Sequence, residues 1–378
     1  MKRIVILLLS AVSYQLSAFG QGPLTPPGPP APTMKTLDQV QPRTPITNAT
    51  GATISAPGSY YLTTNITVAS GNAITIGADN VTLDLNGFSL ISTNPLAAGA
   101  GILLSGSQRT SITILNGHIV SSFQTAGIGF DSGIFASFPS NIRVVGVTVS
   151  QCRSNGIALG APFNGNVVQS CAVDSVNSVG ITAATVSDSI AVNCNVTAIS
   201  ATTVLNCFAD GGVTGNGIIA TSVQNSYGDS IGSGTGISGT TVENSRGITY
   251  TGVGIDATTA NNCYGVANTS GTGLKANVAT GCNGQSTTGT GLQANIAHAC
   301  QGQSKSGIGL DCVITASECY GSTTNAGAVA LKVVGTANVC GGQNSGGGIA
   351  LQAAIGIGCT TFGGTTSIPP ANKYFGTP

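Results

Sequence analysis

The sequence predicts an all-β protein that folds as a single-stranded right-handed parallel β-helix, a solenoid in which short strands stack coil upon coil. The main observation is a small side chain that recurs every 18 to 21 residues over more than half of the chain. This ladder consists of Cys152, Cys171, Ser189, Cys207, Ser226, Ser245, Cys263, Cys282, Cys300, Cys319, Cys340 and Cys359. Such a period is typical of repeat architectures, in which each unit packs against its neighbours.

Other positions keep a fixed distance from the ladder. Three residues before it comes an apolar side chain: Val168, Val186, Val204, Val223, Val242, Ala260, Ala279, Ala297 and Ala316. One residue before it comes asparagine in four coils: Asn206, Asn225, Asn244 and Asn262. About ten residues after it comes glycine followed by a branched apolar residue, as in Gly217-Ile218, Gly236-Ile237 and Gly273-Leu274. Each coil therefore offers three inward contacts separated by turns, which is too little core to fold alone, so the coils must stack.

Composition excludes several other classes. The 378 residues include 55 glycines and 41% hydrophobic residues, with 12 basic and 12 acidic side chains. A disordered chain would be more charged and poorer in aliphatic residues, and collagen would need glycine at every third position. A balanced charge argues against a nucleic-acid groove, which needs a basic stripe. The sequence therefore predicts an ordered, glycine-punctuated β protein without a nucleic-acid partner.

The N-terminal third divides into three segments before the regular coils. Residues 1–20 have a basic start, an apolar run and a small-x-small cleavage pattern, which predicts a signal peptide; an uncleaved anchor is the alternative. Residues 21–33 are proline-rich and predict a semi-rigid linker. Residues 34–72 are expected to lead into the fold and cover its first coil. We expect no membrane insertion after signal cleavage, and a secreted or cell-surface location.

The β-helix is predicted over residues 73–366, with residues 367–378 as a C-terminal tail or cap. Alternation of apolar and polar residues over residues 73–91 indicates strands with one buried face. The sequence Leu-Asn-Gly at 85–87 returns at 115–117, which indicates early coils of about 30 residues, against 18 to 19 later. The extra length falls at residues 92–100 and 121–139, where we expect loops on one side.

These patterns resemble a known family. The pattern Val-x-Asn-Cys/Ser followed by Gly-Ile, and ADNVTLDLNGFSL at 78–90, are similar to secreted right-handed parallel β-helix repeat proteins of the pectate-lyase-like superfamily. The stretches KTLDQVQPRTPI and ANKYFGTP resemble an uncharacterised exported bacterial branch of it. The resemblance covers about residues 35–378 and implies the fold. The catalytic motifs of the superfamily have no match in this chain.

The eleven cysteines are interpreted mainly as packing residues. Stacked ladder side chains point the same way, whereas a disulfide needs a dihedral near 90°, and serine alternates with cysteine in the ladder. Cys194 and Cys312 lie outside the ladder. Bridges between neighbouring coils, such as Cys300–Cys319 or Cys282–Cys300, are the alternative. Without a C-x-x-C pair and with two histidines in the chain, we expect neither a metal site nor a cofactor.

Candidate site residues concentrate near the long early coils. The acidic residues of the later coils look scattered, with none in column beyond chance: Asp174, Asp188, Asp210, Asp229, Glu243, Asp256, Asp311 and Glu318. No catalytic residue is assigned, and the candidates for a polar groove beside the loops are Asp79, Asp84, Arg109, His118, Asp131 and Arg143. A 30-residue register would stack Arg109 on Asp79 and His118 on Phe88. A surface ion pair and a surface histidine are the alternative.

Two functions remain open from the sequence. The first is a non-catalytic structural, adhesive or glycan-contacting role at the cell surface or outside, with a polysaccharide or a cell-surface component as partner. The second is a polysaccharide lyase or glycoside hydrolase with its site beside the loops at 92–100 and 121–139. Two carboxylates and an arginine or histidine within about 10 Å in an exposed groove would favour the enzyme.

Overall fold

The computed structural model describes residues 43–374, apart from residues 94–95, 97, 107, 122–128 and 161–164. The described residues form 36 strands and one 3-10 helix at Pro370–Asn372. The strands of the early coils are β1 Thr44–Ile46, β2 Ala52–Ile54, β3 Gly58–Leu62, β4 Ile66–Val68, β5 Ile74–Ile76, β6 Val81–Asp84, β7 Ser89–Ser92, β8 Ala100–Leu104, β9 Arg109–Ser121, β10 Ser132–Ala136, β11 Pro139–Ser150 and β12 Ile157–Ala158.

In the later coils a long strand alternates with a short one. These strands are β13 Val167–Gln169, β14 Ala172–Val176, β15 Val179–Ser187, β16 Ile190–Cys194, β17 Thr197–Leu205, β18 Phe208–Gly211, β19 Asn216–Gln224, β20 Tyr227–Ser230, β21 Ile237–Glu243, β22 Arg246–Thr249, β23 Val253–Asn261, β24 Tyr264–Ala267, β25 Thr272–Thr280, β26 Asn283–Ser286, β27 Leu292–His298, β28 Gln301–Ser304, β29 Leu310–Ser317, β30 Tyr320–Thr323, β31 Val329–Asn338, β32 Gly341–Asn344, β33 Ile349–Ile357, β34 Thr360–Phe362, β35 Thr365–Ser367 and β36 Lys373–Tyr374.

The right-handed parallel β-helix is confirmed, because strands pair in parallel with the strand one coil away along the whole stack. The predicted columns are in register: Val186 pairs with Val204, and Val204 with Val223. The Gly-Ile column is likewise continuous, and its Ile218 and Ile237 are fully buried. Parallel sheets bury their inner faces against neighbouring layers, which these aliphatic columns provide.

Coil length follows the predicted change from long to short. Leu83 pairs with Ile114, 31 residues on, and Ile114 pairs with Val144, 30 residues on. The coils that flank these two are intermediate, since Tyr60 pairs with Leu83 and Val144 with Val168. From there the step is the short one of the ladder.

Two boundaries differ from those drawn on the sequence. Parallel pairing already begins at Thr44, which pairs with Tyr60, so the β-helix starts before residue 73. The strands there are only three to five residues long, and their alternation is too brief to read without the partner coil. Of the predicted loop at 121–139, residues 132–136 form β10, which pairs with β8. The predicted signal peptide and linker lie outside the described residues and stay predictions.

The cysteine and serine ladder closes one corner of each coil. The asparagine before it adopts a left-handed conformation, as at Asn225 with φ 49°, which asparagine tolerates better than most residues. The Ser226 hydroxyl donates to the Gln224 carbonyl at 2.7 Å and accepts the backbone N–H of Cys207 at 3.2 Å. At this corner the side chain therefore supplies the acceptor that a neighbouring backbone carbonyl supplies elsewhere in the sheet.

Cysteine fills the same position with the same contacts. The Cys282 thiol donates to the Thr280 carbonyl at 3.3 Å, and its sulfur accepts the N–H of Cys263 at 3.5 Å. All eleven cysteines are buried and free. Burial raises the pKa of Cys207 to about 11 and, with the nearby Asp131 carboxylate adding to it, that of Cys152 to about 12. These thiols therefore pack and donate hydrogen bonds as neutral groups.

Cys282→Ala is expected to destabilise the fold by about 1–3 kcal/mol, because it leaves the buried N–H of Cys263 without an acceptor. Cys282→Ser is expected to cost less, because serine occupies this column at Ser226 and Ser245. Urea unfolding of the three proteins measures the difference. Equal losses for alanine and serine would contradict a hydrogen-bonding role for the ladder.

Across the described ranges, the structure contains no helix with the length and apolar character needed to cross a membrane.

Candidate functional site

The short strands that follow the ladder carry a row of exposed ring and guanidinium groups. Phe208, Tyr227, Arg246 and Tyr264 begin β18, β20, β22 and β24, and they pair directly from one coil to the next. Side chains alternate across a strand, so the residue after the inward ladder position points outward. We call these four residues the aromatic–arginine row.

The row is stacked closely. The rings of Phe208 and Tyr227 are 4.9 Å apart between centroids and parallel within 5°. The Arg246 guanidinium lies 5.7 Å from the centre of the Tyr227 ring and 5.2 Å from that of Tyr264. Cation–π contacts of this kind hold an arginine in place without an ion pair. The row therefore presents ring edges and a positioned cation on the surface.

A groove of about 800 Å³ lies between this row and the asparagine column at the coil corner. We call it the asparagine groove. One wall is the row, and the other is formed by Asn206, Asn225, Asn244 and Asn262. The Asn225 amide donates to Asn206 at 3.4 Å, and Asn206 donates to Asp188 at 3.1 Å. That second bond is the main reason why the pKa of Asp188 is lowered, so Asp188 is ionised at this end of the groove.

Two carboxylates stack on the other side of the row, which corrects the expectation that the acidic residues are scattered. Asp210 and Asp229 pair directly in β18 and β20, two residues after Phe208 and Tyr227. The Tyr227 hydroxyl donates to Asp229 at 3.4 Å. One carboxylate oxygen of Asp210 is buried and has no hydrogen-bond partner among the described residues. Two acidic groups in one column are a site feature that their 19-residue spacing had not been used to find.

The surroundings of the pair favour protonation. Burial raises the pKa of Asp210, and the charge of Asp229 raises it further. Burial also raises the pKa of Asp229, although the Ser230 N–H, the Tyr227 hydroxyl and Arg246 oppose that shift. Two like charges in adjacent coils disfavour double ionisation. The pair is thus suited to accept and donate hydrogen bonds to hydroxyl groups.

The candidates of the early coils mostly bond to neighbouring coils. Arg109 does lie on Asp79, with a 3.2 Å ion pair, and Asp79 also accepts the N–H of Thr110. This is the expected surface ion pair. Asp84 accepts hydrogen bonds from the backbone of Asn86 at 2.8 Å and from Asn116 at 3.4 Å. These contacts fix turns between coils.

His118 and Arg143 have different partners. His118 pairs with Ser89 rather than with Phe88, because the step here is 29 residues rather than 30. Its Nδ1 lies 2.6 Å from the Thr148 hydroxyl. Arg143 donates to Gln169 at 2.8 Å. A binding role for either residue stays a prediction.

Asp131 is the early-coil candidate that borders a cavity. It forms a 3.3 Å ion pair with Arg153, and both line a cavity of about 500 Å³ together with Leu103, Phe135 and Asn72. Among the described residues, no group of three or more histidine, cysteine, aspartate or glutamate side chains could hold a metal ion.

Comparison with known proteins places the fold but not the chemistry. No protein-family model and no curated protein matches the chain. Among solved structures, the chain is similar to the A-module of the mannuronan C-5 epimerase AlgE6 of Azotobacter vinelandii, with 13% sequence identity and a TM-score of 0.44. The similarity covers 83% of this chain and 92% of that module.

Proposed function

We propose that the protein is an exported, non-catalytic β-helix that binds glycans in the asparagine groove, outside the cytoplasm. The observation that carries the proposal is the pairing of two walls along the same four coils. The aromatic–arginine row supplies apolar edges and one cation, and the facing amides supply donors and acceptors. A groove of this size with a few convergent polar groups is typical of ligand sites.

The groove suits an extended ligand rather than a compact one. Its walls repeat with the coil spacing of about 4.8 Å, so the same contacts recur along the stack. Amides can bond to hydroxyl groups in both directions, and carbohydrate C–H faces pack on aromatic edges without a charge requirement. The predicted signal peptide at residues 1–20 supports export, and a secreted or surface location would bring the groove to extracellular polysaccharides.

Tyr227→Ala is expected to weaken glycan binding about tenfold or more, which corresponds to ~1.4 kcal/mol. The substitution removes the ring that stacks on Phe208 and holds Arg246. Affinity electrophoresis against a panel of soluble neutral and acidic polysaccharides identifies a bound glycan and measures the loss. Tyr250→Ala is the matched control, because Tyr250 is exposed on a turn away from the groove. Equal binding by the Tyr227 and Tyr250 variants would overturn the proposal.

A lyase or hydrolase beside the early loops is the second candidate. The cavity that holds the Asp131–Arg153 pair favours it, because it places a carboxylate and a cation beside the apolar wall of Leu103 and Phe135. The same polysaccharide panel, assayed for new reducing ends and for unsaturated products, separates the two functions. Cleavage that is lost in Asp131→Asn would favour the enzyme.

A further inference from the structure

A second concave surface lies on the opposite side of the row, further along the stack. It is a trough of about 440 Å³ between β24 and β32. The third residues of four successive short strands form its wall and pair in register: Gln285, Gln303, Ser322 and Gln343. We call it the glutamine trough. It shares no lining residue with the asparagine groove.

The hydroxyl groups of the trough floor are used by the fold. The Ser286 hydroxyl donates to the Gly271 carbonyl at 3.0 Å and accepts the N–H of Gly289 at 2.9 Å. Ser304 repeats both contacts one coil later, with Gly289 and Gly307. The floor is therefore a rigid turn structure whose donors are already satisfied.

The amides of the wall are only partly used. The Tyr264 hydroxyl donates to the Gln285 oxygen at 2.7 Å, and the Gln285 amide nitrogen donates to the Gln303 oxygen at 3.2 Å. In the described part of the chain, the Gln303 amide nitrogen has no hydrogen-bond partner. The chain of amides thus ends on a free donor that is held in place by the two bonds before it.

The charges around the trough select against anions. Among the described residues that line it, Lys305 is the one charged side chain. The same column continues upstream through Val266 and Ile248 to the carboxylates of Asp229 and Asp210. A polyanion would need several cations along its length and would meet these carboxylates at one end.

We propose that the glutamine trough is a second glycan-binding site, whose ligand is an uncharged polysaccharide chain. Positioned amides exchange hydrogen bonds with neutral hydroxyl groups, and the lone lysine is too sparse a charge for a uronic-acid chain. From Gln285 to Gln343 the wall spans three coil steps, or on the order of 14 Å. The inference adds a site and a ligand class to the proposed function.

Calorimetric titration of the whole mature protein tests the trough with two probes of equal length, a neutral β-glucan octasaccharide and a homogalacturonan octasaccharide. Gln303→Ser removes the free donor while keeping a residue that the column already accepts at Ser322. Gln293→Ser is the matched control, since Gln293 lies in β27 and lines a different cavity. We expect the wild type and the Gln293 variant to bind the glucan at two sites, and the Gln303 variant to lose at least about tenfold at one of them.

Identical titrations for the Gln303 and Gln293 variants would overturn the trough, as would homogalacturonan displacing the glucan from it. The proposed function fails separately. If Tyr227→Ala titrates like the wild type while Gln303→Ser loses a site, the asparagine groove is wrong and the trough stands. If Tyr227→Ala loses one site and Gln303→Ser loses none, the groove stands and the trough is wrong.

Discussion

Gly273→Ala is expected to destabilise the protein by about 3 kcal/mol or more, the upper end of what overpacking costs. A β-carbon at this position would lie 2.4 Å from both the N and O atoms of Gln285 and 2.6 Å from the Gly291 carbonyl oxygen. All three are backbone atoms of packed coils, so no flexible side chain can move aside. The backbone of two coils must shift instead, and that disturbs their pairing with the coils on either side.

The matched control is Gly327→Ala. A β-carbon there meets one atom within 4 Å, the side-chain oxygen of Asn325 at 3.5 Å. We expect this variant to stay within about 0.5 kcal/mol of the wild type. Urea unfolding followed by circular dichroism measures both. Similar unfolding midpoints for the two variants would show that the close backbone approach at Gly273 does not limit the fold.

Leu292→Ala is the second large effect, with an expected cost of about 2–5 kcal/mol. Leu292 is fully buried and pairs with Leu274 on one side and Leu310 on the other. Deleting its side chain leaves a cavity that a stack of rigid coils cannot collapse into. In a solenoid, stability is approximately a sum of nearest-neighbour terms, so we expect faster amide exchange in the adjoining coils.

Leu292→Met is the control for this position, because it conserves volume and is expected to cost less than about 1.5 kcal/mol. Amide hydrogen exchange locates the effect along the stack. Uniform loss of protection over all coils, with no excess next to Leu292, would contradict the nearest-neighbour description.

Most of the fold could be predicted because a repeat makes each coil a separate observation of the same environment. The Val and Gly-Ile columns recur with the ladder, and their register is the one observed. The entrance to the fold at Thr44–Leu62 could not be delimited, since it forms very short strands there. The hydrogen-bonding role of the ladder also needed coordinates, because the partner of Ser226 is a backbone N–H one coil away.

The site was harder to predict, because its residues are chemically unlike one another. The row combines Phe208, Tyr227, Arg246 and Tyr264, so no single residue type repeats, although their spacing equals the ladder step. The Asp210 and Asp229 pair follows the same step, and aligning acidic residues on the ladder would have found it. The early-coil candidates drew attention by charge density, yet Arg109 and Asp79 form an ion pair between coils.

The most direct test of the account is the salt dependence of binding by the wild-type protein. Matched neutral and uronic-acid octasaccharides are titrated at about 50 mM and about 500 mM salt, a range over which exposed charge interactions become strongly screened. The account predicts that the neutral chain binds more tightly and that its dissociation constant is nearly the same at both salt concentrations. Tighter binding of the uronic-acid chain, weakened by the higher salt, would contradict it.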